Sequence, residues 1–248
     1  MQTTALTNHS IGELIAGDYR IPDLLRDFGI DFTYHDERSL EEACSEQQVT
    51  LEPVEEALKQ LKTKGASSLE SFREMELDDL VDHIVIYHHR YVRRKLPEIY
   101  SYSLKVAKAL GEQYPQFKEL SRRFIMMTRE MYEHLDREEK VLFPYIRKLV
   151  RAHRDGHSSP KPRFSSVKEP ISELQHDHVD NSANMADIRR LADDYKLPAE
   201  ADKTCKTLFQ YLQAFEQQQK RHIFLENNIL FPRARKLEKE FKSAKKKK

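Results

Sequence analysis

The sequence predicts an all-α protein, an up-and-down four-helix bundle preceded by a small helical module. Three observations carry that reading. Charged residues make up 33% of the 248 positions and hydrophobic residues 39%, with 6 Gly and no Trp, and strong helix formers dominate. From about residue 77 onward, apolar residues recur at helical rather than alternating spacing in four long segments. One short pattern also occurs twice. His134 lies four residues before Glu138 and ten before Pro144, and His222 stands in the same relation to Glu226 and Pro232. On a helix, that spacing stacks the imidazole and the carboxylate on one face, where both can reach one metal ion.

Residues 1–65 read as the small module, with helices expected over 11–16, 21–28, 40–47 and 54–61. Gly29 can close the second in a left-handed conformation. Ser39 with Glu42 forms a capping box at the start of the third, and Thr50 and Pro53 prepare the fourth. The small polar stretch 63–69 is the expected linker. The bundle then occupies 66–240, and a basic tail, 241–248, follows as a solvated end. Its four helices are expected over 77–110, 116–152, 167–194 and 199–239, with Gly111, the 154–163 loop and Leu197-Pro198 as breaks. Pro144 and Pro232 fall inside the second and fourth helices, so each should kink its helix or open a separate final stretch.

A net charge of +1 gives no global field for nucleic acid. No run has the length of a transmembrane helix, and the N-terminus lacks a signal-peptide pattern, so the expected location is cytoplasmic. Cys44 and Cys205 match no paired-cysteine spacing and are expected to be reduced core residues.

Two His/Glu pairs cannot complete a buried two-metal site, so the other two helices must contribute. In the first, the apolar face through Val85, Val92, Leu96 and Ile99 places His89 toward the core, with His88 on the neighbouring stripe. In the third, His176 shares a stripe with Ser172, Val179 and Ala183, and His178 with Leu174, Asn181 and Met185. The pattern hardly separates those two. Four imidazoles with two carboxylates suit iron, manganese or zinc, and two glutamates could bridge two ions.

These residues resemble the hemerythrin-like di-iron domain, and specifically the repair-of-iron-centres family. The carriers are the stretch from Asp82 to Glu98, His134 to Pro144, and Arg221-His222 through Phe231-Pro232, with Ile11 to Leu14 and Phe28 to Phe32 in the small module. The resemblance implies a metal set of His89, His134, Glu138, His176, His222 and Glu226, His176 being the histidine followed by an acidic residue. It implies two Fe ions per chain with an oxo or hydroxo bridge, the carboxylates of Glu138 and Glu226 spanning them. It further implies repair of iron–sulfur clusters damaged by nitrosative or oxidative stress, through iron donation or through nitric oxide binding or reduction. The partners implied are damaged iron–sulfur proteins and nitric oxide or oxygen as small ligand, with a homodimer compatible and neither nucleic acid nor membrane involved. The family's adjacent cysteines are replaced here by Thr33-Tyr34, which leaves a sensor module that signals to a partner as the alternative function.

Overall fold

The structure is a computed structural model and describes residues 11, 14, 21–30, 38–63 and 69–245. Most of the helix expected over 11–16, the Thr33-Tyr34 departure and residues 246–248 lie outside that range. The chain divides into two compact units, Met1–Met75 and Glu76–Lys248. Among the described residues every regular element is helical, and no helix is long and apolar enough to cross a membrane.

The first unit contains α1 (Ile21–Asp27), α2 (Leu40–Glu46), α3 (Leu51–Thr63) and α4 (Leu69–Glu74). Gly29 ends α1 at φ +77°, a backbone region that costs a side-chain-bearing residue about 1–2 kcal/mol. Ser39 caps α2 as the sequence indicates: its Oγ accepts from the Glu42 amide, and the Glu42 carboxylate accepts from the Ser39 amide at 2.8 Å. Pro53 sits inside the first turn of α3, where its missing N–H is no loss. Leu25, Ile30, Leu40, Cys44, Val54 and Leu58 are buried in this unit, and burial pushes the Cys44 thiol up.

The second unit is built from four rods. The first is α5 (Leu77–His83), a π-helical turn π1 (Ile84–His89) and α6 (Arg90–Leu110). The second is α7 (Gln116–Arg137), π2 (Glu138–Leu142) and α8 (Phe143–Arg154). The third is α9 (Lys168–Leu191), followed by a short turn, Asp193–Tyr195. The fourth is α10 (Lys203–Leu225), π3 (Glu226–Leu230) and α11 (Phe231–Lys245), so helix continues into the stretch expected to be a tail. Around the bundle α6 packs on α7, α7 on α9, α9 on α10 and α10 on α6, a closed ring of four. Val92, Leu96, Ile99, Phe124, Leu212 and Phe215 belong to the core at one end of these helices.

Pro144 and Pro232 act through π2 and π3. In an uninterrupted α-helix each proline ring would meet the carbonyl four residues back and offer it no N–H. The chain instead widens: Phe143 N–H donates to the Glu138 carbonyl and Phe231 N–H to the Glu226 carbonyl, each five residues back. The Arg90 N–H makes the same bond to Val85 in π1, which no proline adjoins. A one-residue insertion rotates the following face by about 100°. Leu77, Leu80 and Val81 are therefore buried before π1, Ile84 and His89 at its two ends, and Val92 and Leu96 after it. Val85, expected on the core face, is only half-buried, and His88 is buried beside His89.

Candidate metal centre

All three π turns lie at one level of the bundle, and the glutamates that open π2 and π3 project into its interior. Glu138 and Glu226 are both 0% exposed. Two donor sets form around them: His89, His222, Glu138 and Glu226 in one, and His134, His178, Glu138 and Glu226 in the other. Each carboxylate divides its oxygens between the sets. Glu138 Oε2 lies 3.3 Å from His89 Nε2, and Glu138 Oε1 lies 3.3 Å from His134 Nε2. Glu226 Oε1 lies 3.0 Å from His222 Nε2, and Glu226 Oε2 lies 3.1 Å from His178 Nε2. The paired imidazoles close each set, His89 Nε2 to His222 Nε2 at 3.1 Å and His134 Nε2 to His178 Nε2 at 3.2 Å.

Protons alone satisfy this arrangement poorly. Both oxygens of Glu138 and Oε2 of Glu226 are enclosed and lack a hydrogen bond of proper geometry, despite nitrogen atoms just over 3 Å away. Buried carboxylate oxygens left in that state are costly. A shared cation removes the cost. Ligand atoms bonded to one ion at about 2.1 Å stand about 3.0 Å apart at right angles and about 3.4 Å apart in a tetrahedron. The observed spacings of 3.0 to 3.3 Å fall in that interval. Two imidazoles and two carboxylate oxygens per ion, without thiolate, suit iron, manganese or zinc.

Outer partners orient the rings. His89 Nδ1–H donates to Glu139 at 2.9 Å, and Arg93 also holds that carboxylate. His134 Nδ1–H donates to Asp177 at 3.1 Å, which Arg137 holds in turn. His178 Nδ1 meets the side-chain oxygen of Asn227 at 3.1 Å. Anchoring these three Nδ1 atoms leaves their Nε2 atoms facing the donor sets.

The electrostatics of the protein without metal follow from the same contacts. Burial opposes charge on His89, but the adjacent Glu138 and Glu139 carboxylates outweigh it and raise its pKa to about 9. Burial likewise opposes His134, and Glu138 with Asp177 raises it to about 10. His222 is depressed by burial, with the charge of His89 added, against the pull of Glu226. Burial raises both glutamates, yet Glu138 is held low by His134 and His89, and Glu226 by His222 and His178. Two imidazolium ions thus balance two carboxylates, which lets the charges stay buried without metal.

Five of the six residues expected as ligands, His89, His134, Glu138, His222 and Glu226, meet here. His176 does not, and His178 takes its place. The His176 side chain is 78% exposed and faces Asp180 on the surface, whereas His178 is 3% exposed. The reason is the phase of α9, whose buried stripe runs Ile171, Leu174, His178, Met185 and Ile188. That stripe is apolar except for one histidine, whereas the His176 stripe contains Val179, which is 53% exposed. The sequence pattern hardly separates the two, and the resemblance to a histidine followed by an acidic residue points to His176. Glu139, Asp177 and Asn227, the outer partners, lie one residue from a ligand and carried no periodic signal.

Residues 80–234 match the hemerythrin HHE cation binding domain, and residues 7–62 match ScdA_N, a domain of unknown function (DUF542). The chain is 26% identical to the iron-sulfur cluster repair protein YtfE of Enterobacter sp. (strain 638), across 93% of this chain and 98% of that one. It is 28% identical to YtfE of Musicola paradisiaca (strain Ech703), covering 91% and 95%. It is 27% identical to the iron-sulfur cluster repair protein ScdA of Staphylococcus haemolyticus (strain JCSC1435), covering 91% and 98%. With the matched domain spanning most of the chain and its helices supplying every residue of the donor sets, this protein belongs to the hemerythrin HHE cation-binding family.

Proposed function

We propose that the protein holds two iron ions and serves in the repair of damaged iron–sulfur clusters. His89 and His222 would hold one ion and His134 and His178 the other, with Glu138 and Glu226 bridging. The observation that carries this reading is the division of each glutamate's two oxygens between two histidine pairs. The hemerythrin family supports iron as the cation, and the names of the relatives support the repair role. Iron held there would supply a redox couple and room for a small ligand such as nitric oxide. The bundle's part is to keep four Nε2 atoms and four carboxylate oxygens aimed inward, and the outer carboxylates Glu139 and Asp177 keep the rings from turning.

The test is made on the purified full chain. Two irons per chain, a charge-transfer band bleached by reductant, and restored activity of a nitric-oxide-treated iron–sulfur enzyme are the expected results. A chain that takes up no stoichiometric metal, or a loaded chain that leaves the damaged cluster enzyme inactive, rejects the proposal.

Metal uptake should also be steeply pH-dependent. The His89 and His134 pKa values of about 9 and about 10 lie above the ordinary value of 6.5. Their stabilisation of the metal-free fold is therefore complete below pH 6.5 and is lost as pH rises through 9 to 10. Metal must displace both protons, so affinity should rise between pH 6.5 and 8.5 by up to about 100-fold per pH unit. Zinc, a redox-silent probe, titrated against a chelator with an indicator dye should release about two protons per loaded chain. An affinity independent of pH, once the chelator is corrected for, contradicts the charge balance described above.

A further inference from the structure

A cavity of about 250 Å³ lies against the donor sets, with His134, His178 and His222 in its wall. Met127 contributes an apolar surface, two amides, Gln219 and Asn181, line it as well, and Glu130, Glu133, Arg137, Asp177 and Asp180 bring charged groups to the wall. Gln219 precedes His222 by three residues on α10, and Asn181 follows His178 by three on α9, so each amide shares a helix face with a ligand histidine. Gln219 is 2% exposed.

The polar atoms of this pair do not cancel. Asn181 Nδ2 donates to Gln219 Oε1 at 3.5 Å, the outer limit of a hydrogen bond. Gln219 Nε2 and Asn181 Oδ1 are both enclosed and have no partner in the protein. Exchanging the nitrogen and oxygen of both amides would reverse their contact and still leave one donor and one acceptor over. A bundle selected only for stability would place an apolar side chain at position 219, because an enclosed unpaired amide is destabilising.

We propose that Gln219, braced by Asn181, donates a hydrogen bond to a small ligand of two or three heavy atoms that enters this cavity beside the metal pair. The ligand class is an uncharged or singly negative acceptor, for which nitric oxide and azide are the probes. Gln219 supplies no donor to either metal set, so it acts as a positioning residue. The proposal rests on the two-iron reading above.

The experiment compares the iron-loaded full chain with its Gln219→Met variant, which keeps the volume and removes the donor. The variant should retain two irons, bind azide about tenfold more weakly, and show the N–O stretch of bound nitric oxide at higher frequency. Its metal-free form should melt no lower than the parent, a result that a merely structural glutamine would not give. Asn181→Leu, which removes only the brace, should give a smaller shift in the same direction. Unchanged azide affinity and N–O stretch in an iron-retaining Gln219→Met chain overturn the proposal and leave the two-iron reading intact. A variant that loses iron or melts earlier makes Gln219 structural and overturns it as well. A parent chain that binds no iron overturns both.

Discussion

Replacing Glu226 with leucine should reduce tightly bound iron from two per chain to one or none, and Glu138→Leu should do the same. Each carboxylate gives one oxygen to each donor set, so one substitution removes a ligand from both ions at once. It also removes one of the two buried negative charges that would offset two dications. Loss of a mere outer-shell partner typically costs metal affinity about 10- to 100-fold, and a shared first ligand should cost more. The fold should survive. The other buried glutamate remains, and Glu139 and Asp177 still pair with His89 and His134, so the imidazoles keep acidic partners. Metal analysis after dialysis against chelator, beside a melting curve of the metal-free chain, separates a lost ligand from a lost fold. Two irons retained by either variant would remove the bridging assignment.

The second large effect separates two histidines that stand two residues apart. His178→Ala should leave one donor set with a single imidazole and abolish tight binding of at least one ion. His176→Ala should leave metal content and melting temperature unchanged, because its ring is exposed and touches only Asp180. The comparison is sharp because both variants delete the same chemical group from the same helix. Equal iron loss in the two, or loss in His176→Ala alone, would mean that α9 is turned differently about its axis.

Much of the bundle was legible because helix length and breakpoints are local properties. The first rod runs Leu77–Leu110, as the periodic segment and Gly111 indicate, and the capping box at Ser39 and the left-handed Gly29 follow from single residues. The duplicated His/Glu spacing was equally local, since four residues are about one helical turn. Both prolines marked a disturbance about two turns beyond the His/Glu stretch. That the disturbance is a π turn opening at the buried glutamate is a matter of how the backbone widens, which residue type alone does not specify.

Residue spacing by itself therefore determined an all-helical chain, a bundle of four rods, and five of the six side chains that meet at its centre. Only the packed bundle decided which of His176 and His178 turns inward, that π1 buries His88 together with His89, and that each glutamate serves both histidine pairs. The physical reason is rotational. Sequence fixes the angle between neighbours on one helix, about 100° per residue, but the absolute orientation of that helix is set by the ridges and apolar stripes of the helices packed against it.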